Sequence, residues 1–204
     1  MLKKREFSLM SNFYDPSQKL LFIHLPKTGG WSIRHNLLKE RQFSLKINPK
    51  WEYDFSFSVV RNPFDRFFSA YNMFKFGTTS LNVHYPDITV DEMLSFLENE
   101  SVPHHNGRRG GEVVDHKAFI KHHIIPMTHP SHSLEKADKI YRFENFSHAI
   151  DDLNSRLGLK VSIPHTNKPL KKATSSYKNF FTTPQKEKIS SIFKEDLNTF
   201  QYQF

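Results

Sequence analysis

LLFIHLPKTGGWSIRHNLL, residues 20–38, decides the fold. Its first part, Leu20 to Leu25, is a short apolar run halted by Pro26 and followed by Gly29 and Gly30, the pattern of a buried strand entering a tight loop. Ile33, Leu37 and Leu38 then recur at helical spacing, so a helix is expected after the glycines. Glycines in such a loop let backbone N–H groups approach an anion, and Lys27, Thr28 and Ser32 add donors. A phosphate-bearing ligand fits this cradle; the plain alternative is a Gly-Gly turn beside a solvated lysine. The order of residues is not GxxxxGK[ST], because the lysine precedes the glycines, and a magnesium-dependent kinase is disfavoured.

The rest of the chain extends the pattern. Phe55 to Val60 is rich in strand formers and runs into Arg61-Asn62-Pro63, a second strand and turn. Pro63 suits the first position of a helix carrying Phe64, Phe67, Phe68, Tyr71 and Phe74. Two strand-loop-helix units in succession predict an α/β fold: a single P-loop-like domain, with a central parallel β-sheet flanked by α-helices. Residues 1–204 are read as that one domain, with residues 1–18 as an N-terminal extension. Further elements are expected as a helix from Val90 to Leu97, an exposed loop from Ser101 to Gly111 and a third strand over Ile140 to Phe143. A helix over Phe146 to Leu157 should be capped by Asn145 or Ser147 and closed by Gly158. A final helix should begin with Thr183 as cap and Pro184 behind it.

Composition bounds the function. The 204 residues carry a formal charge of +8, which favours anionic partners. There is no cysteine, so disulfides, thiolate metal sites and cysteine nucleophiles are excluded. No apolar run is long enough for a membrane span or a signal peptide, and a cytoplasmic, bacterial setting is expected. Twenty phenylalanines supply a bulky core.

A second polar group lies in RNPFDRFFSAY, residues 61–71. Arg61 ends the second strand and Ser69 lies about two turns into the following helix. An arginine there can hold a second phosphate bidentately with the serine assisting. Arg66 is read as a cap or a partner of Asp65 or of a glutamate, and Tyr71 as core.

Together these residues resemble the sulfotransferases that use 3'-phosphoadenosine 5'-phosphosulfate, particularly the family 2-like branch that sulfates carbohydrates. LPKTGGWS is similar to that family's 5'-phosphosulfate loop and VVRNPFDRFFSAY to its 3'-phosphate motif. The likeness continues through His123-Ile-Ile-Pro126, Tyr141-Arg-Phe-Glu-Asn145, Ile163-Pro-His-Thr-Asn167-Lys168 and the closing FQYQF. The resemblance implies that Lys27 neutralises the leaving 5'-phosphate oxygen, and that Thr28, Gly29, Gly30 and Ser32 hold the phosphosulfate. It also implies that Arg61 and Ser69 bind the 3'-phosphate and that Asn167 and Lys168 close over the nucleotide. The product would be adenosine 3',5'-bisphosphate, the acceptor a saccharide or glycolipid, and no metal is required. By analogy with phosphoryl transfer, in-line positioning and stabilisation of developing charge carry such a reaction.

The chain departs from the pattern in two places. Relatives often place a histidine between the two phosphate motifs as general base, whereas FSLKINPKWEYDFSFS, residues 43–58, contains none. Glu52 or Asp54 can serve if burial raises the carboxyl pKa; from outside the interval His123 leads because it matches a family motif, ahead of His104, His105 and His116. His24 reads as a packed or hydrogen-bonded histidine near the sheet edge. Trp31 replaces a small residue and is assigned to the adenine, the acceptor sugar or the adjacent core. The histidines from 122 to 132 match no zinc spacing. Acceptor specificity is expected from Thr78 to His129. A non-catalytic nucleotide or glycan binding module is the competing class. Peripheral membrane contact suits the basic charge, and nucleic-acid binding does not suit aromatics that fall at core periods.

Overall fold

The computed structural model describes residues 12–44, 46–77, 84–103, 107–109, 112–163 and 176–204. In chain order the elements are β1 (Asn12–Asp15), β2 (Leu20–Ile23), α1 (Gly30–Asn36), β3 (Gln42–Ser44), β4 (Phe55–Val60), α2 (Pro63–Phe76), α3 (Val90–Glu98), β5 (Arg108–Arg109), β6 (Glu112–Val113), α4 (His116–Ile124), β7 (Lys139–Arg142), α5 (Phe146–Leu157), α6 (Thr183–Ile192) and α7 (Lys194–Thr199).

Five strands form one sheet in the order β3-β1-β2-β4-β7. β2, β4 and β7 run parallel, as the two strand-loop-helix units require, with Leu21 opposite Ser56 and Val59 opposite Tyr141. The centre of the sheet is thus parallel as expected, and β1 and β3 add antiparallel strands on one side that make the whole sheet mixed. The cause is local. The Asp15 carboxylate accepts from the Ser17 and Gln18 amides at 3.0 and 3.2 Å, and Lys19 turns at φ 45, a tight reversal that returns β1 onto β2. Of the residues expected as an extension, Asn12–Asp15 therefore belong to the sheet, every one of them buried, and residues 16–18 form the turn that follows.

Strand alternation divides the core. Leu20, Phe22, Phe57, Val59 and Tyr141 pack under Ile33 and Leu37 of α1 and Ala149, Ile150 and Leu153 of α5. On the opposite face Leu21 and Ile23 meet Tyr14 and Trp51, while Leu25 and Val60 meet Met127, Leu134 and Phe200. A third cluster joins the phenylalanine-rich face of α2 to α3, α4 and α6 through Phe67, Phe74, Met93, Phe119 and Ile189.

Most helix boundaries fall where the caps place them. Asn62 caps α2 by accepting from the Phe64 amide at 3.0 Å, with Pro63 at the first position. Gly158 closes α5 in the left-handed region. The last helix differs from expectation. Thr182 is its cap, in a capping box with Gln185, and the helix breaks at Phe193 before α7. The segment expected as an exposed loop at 101–111 holds buried Val102 and Gly107 and pairs β5 with β6.

Candidate active site

The C-terminal ends of the three adjacent parallel strands lie at one edge of the sheet, where open α/β folds bind ligands. The loop after β2 supplies Lys27, the turn after β4 supplies Arg61 and Asn62, and the 3₁₀ turn after β7 supplies Phe143 and Glu144.

Lys27 sits in the left-handed region at φ 70, unusual for a side chain with a Cβ, and its Nζ lies 3.3 Å from Met73 Sδ. A thioether is a weak partner for an ammonium. Burial, then Arg61 and Arg66, push its pKa from 10.5 down to about 7. Arg61 donates from Nη1 to the Lys27 carbonyl at 3.0 Å and from Nε to Asp65 at 2.8 Å, and its guanidinium lies 4.3 Å above the Phe143 ring. Among the described residues Nη2 has no hydrogen-bond partner, so both of its N–H groups and the second N–H of Nη1 are left to meet a ligand. Arg66, 1% exposed, donates to the carbonyls of Pro26 at 3.0 Å, Ile125 at 2.8 Å and His123 at 3.2 Å. It is thus the clamp that joins the loop to the end of α4, not the partner of Asp65. Burial pushes it down to about 10, with Asp196 opposing and Arg61 adding to the shift. Among the described residues no carboxylate pairs with Lys27, and such a cluster of cations favours arrival of an anion.

The remaining loop residues take more specific roles. The Thr28 hydroxyl is fully buried and donates to the Leu25 carbonyl at 2.9 Å, which fixes the start of the loop. Gly29, at φ 88, has no room for a side chain because a Cβ would lie 3.0 Å from Phe146 and 3.1 Å from Phe143. A Cβ at Gly30 would lie 2.1 Å from Nε2 and Cδ2 of His24. Ser32 is buried in the first turn of α1. Trp31 stacks on His35 at 3.9 Å and under Arg34 at 4.5 Å, all on α1. Ser69 is half-buried in α2. Asn167, Lys168, His104 and His105 lie outside the described residues.

The sulfotransferase family model matches residues 11–203. The chain belongs to the sulfotransferase family. No match was found among curated proteins or among solved structures.

In this sulfotransferase the two leading base candidates sit in different settings. Glu52 is exposed and precedes β4, beside Asp54, whose amide bonds the Lys19 carbonyl at the start of β2. The six residues of β4 put roughly 20 Å of strand between that end and Arg61. Asp54 itself pairs with Lys19 at the same end. His123, 4% exposed, packs edge-on to Phe74 and Phe119, and its Nδ1 lies 2.8 Å from the Phe119 carbonyl. Burial holds it well below the usual imidazole range, and the visible function of the HIIP element is to present carbonyls to Arg66.

Two residues at this edge were given no role by sequence reasoning. Phe143 supports Arg61, and Glu144 accepts from the Asn62 amide and the Tyr202 hydroxyl, both at 2.7 Å. The signal was present in the Tyr141 to Asn145 motif. His24, expected as a packed or hydrogen-bonded histidine near the sheet edge, follows β2 at this edge, packed against Phe13 and Phe22.

Proposed function

We propose that this sulfotransferase moves the sulfuryl group of 3'-phosphoadenosine 5'-phosphosulfate to a hydroxyl of a carbohydrate or glycoconjugate, releasing adenosine 3',5'-bisphosphate. The observation that carries this reading is the meeting of Lys27 and Arg61, 34 positions apart, at one strand edge with the Lys27 ammonium unmatched by any described carboxylate. Lys27 neutralises the 5'-phosphate oxygen as the S–O bond breaks. The backbone of Thr28, Gly29 and Gly30, with Ser32, holds the phosphosulfate, and Trp31 flanks it. Arg61 and Ser69 take the 3'-phosphate, and Asn167 and Lys168 close over the nucleotide. No metal is needed, since cations and backbone donors supply the charge stabilisation. A saccharide or glycolipid acceptor suits the charge of +8, with peripheral contact to an anionic surface.

Calorimetric titration with adenosine 3',5'-bisphosphate tests the donor, followed by transfer of labelled sulfate to a panel of oligosaccharides and glycolipids. Binding and transfer are expected. No binding overturns the reading. A binding module without turnover on the same fold is the second reading, favoured by the exposure of Glu52 before β4 and the packing of His123 between Phe74 and Phe119. Binding without transfer to any acceptor would establish it.

A further inference from the structure

Besides Glu52 and His123, a third candidate lies against the Pro26 to Ser32 loop, the imidazole of His24. His24 directly follows β2 and lies three residues before Lys27. Its ring is braced by Phe13 at 5.8 Å and Phe22 at 5.5 Å, and its Cδ2–Nε2 edge lies against Gly30 of the loop. The backbone is fixed as well, the His24 amide donating to Asn12 Oδ1 at 3.3 Å. Nδ1 is buried and has no hydrogen-bond partner among the described residues. A packed histidine normally satisfies such an atom, and an orphaned one beside a reaction site marks a group that substrate completes.

We propose that His24 Nδ1 accepts the hydroxyl proton of the sulfuryl acceptor, which supplies the hydrogen bond this nitrogen lacks. The proposal rests on the sulfotransfer reading above. The acceptor oxygen forms its bond to sulfur while the sulfur–oxygen bond to the 5'-phosphate breaks. The electron pair leaves on that phosphate oxygen beside Lys27, and the proton passes to Nδ1 and thence to solvent.

The surroundings keep the imidazole ready. Lys27 of the loop, Arg34 of α1, Arg66 of α2 and His122 of α4 all face it, and no described carboxylate does. Burial first, then these groups, hold its pKa down at about 3, so the ring is neutral at physiological pH and its lone pair is available. A bound phosphosulfate offsets the cations and raises basicity only when donor is present. The arrangement also explains Gly30, since any side chain there would displace the ring.

His24→Gln and His24→Asn test the assignment. Affinity for adenosine 3',5'-bisphosphate is expected to stay within about 3-fold of the parent, with KM little changed. The kcat is expected to fall by about 10²- to 10⁴-fold, and added imidazole to restore part of the activity in His24→Gly. Undiminished kcat in the Gln and Asn variants would overturn the assignment alone, and so would a loss of nucleotide binding in step with kcat, the mark of a packing role. A parent that fails to bind the nucleotide would overturn the donor reading and this one together. Nitrogen chemical shifts of the nucleotide-bound parent need no variant: unprotonated Nδ1 at neutral pH is expected, and a protonated Nδ1 would overturn the proposal.

Discussion

Nη1 of Arg61 lies 3.0 Å from the carbonyl oxygen of Lys27, so the arginine that ends one strand holds the backbone of the lysine that follows another. The same guanidinium is anchored to Asp65 and rests on Phe143. Arg61 is therefore both a candidate ligand group and the support that keeps Lys27 at φ 70. Arg61→Ala should weaken nucleotide binding by at least about 10-fold, the scale of a lost charged hydrogen bond. Lys27→Ala should abolish transfer. Arg61→Lys should rescue little, because an ammonium cannot reach Asp65, Lys27 and a phosphate from one planar group. Calorimetry on the three variants checks this, and parent-like affinity in Arg61→Ala refutes it.

The pH response of Lys27 has a defined sign. Its folded pKa, about 7, lies below the 10.5 of an ordinary lysine. Between these values the unfolded chain binds the extra proton, so stability of the ligand-free protein should rise with pH across that window. Anion binding slopes the other way, since the charged ammonium is the attractive form. Affinity for adenosine 3',5'-bisphosphate should fall as pH rises through 7, with proton uptake on binding. Titrations in buffers of different ionisation enthalpy measure that uptake, and Lys27→Met should remove both slopes.

Gly30→Ala probes the contact beneath the loop. The new Cβ would fall 2.1 Å from the His24 ring, an overlap that requires movement of either ring or loop. A loss of about 1–3 kcal/mol in denaturant unfolding is expected. His24→Ala in the same chain should return much of that loss, because it removes the obstructing ring, and the coupling between the two changes is the direct measure of the contact. Additive effects would show that Gly30 is not constrained by His24.

Much of this was legible in the order of residues. The β2 loop, the β4 turn and the caps of α2 and α5 depend on local chemistry, a glycine pair, a proline, an asparagine, that acts within a few positions. β1 was not legible because four residues, NFYD, carry no strand signal until Asp15 folds the turn that pairs them. The role of Arg66 was hidden for a different reason. Its neighbour Asp65 suggested an ion pair, but three carbonyls from Pro26, His123 and Ile125 outcompete it, and those come together only in the tertiary fold. The neighbours of His24 were hidden because periodicity shows a strand's length and not what pairs beside it, here β1 on one side and β4 on the other. The separation of Glu52 from Arg61 was hidden for a like reason, since sequence distance does not reveal that a whole strand lies between them.

The C-terminal residues tie the Arg61 turn from outside. Tyr202 donates to Glu144, Glu144 accepts the Asn62 amide, and Asn62 Nδ2 donates to the Gln203 carbonyl at 2.7 Å. Arg142 bonds the Phe200 carbonyl and lies 4.8 Å above the Tyr202 ring, and Phe204 packs on Phe64 at 4.8 Å. Burial and the Glu144 carboxylate both raise the Tyr202 phenol above its ordinary range, so it stays a donor at any physiological pH. Since Asn62 follows Arg61 directly, slack in this knot should reach the guanidinium. Tyr202→Phe and Glu144→Gln are each expected to cost about 0.5–2 kcal/mol in stability and to couple in the double variant. Nucleotide affinity should fall in Glu144→Gln although Glu144 is acidic and its charge alone would repel the ligand. A gain in affinity instead would mean that electrostatic relief outweighs positioning at this edge.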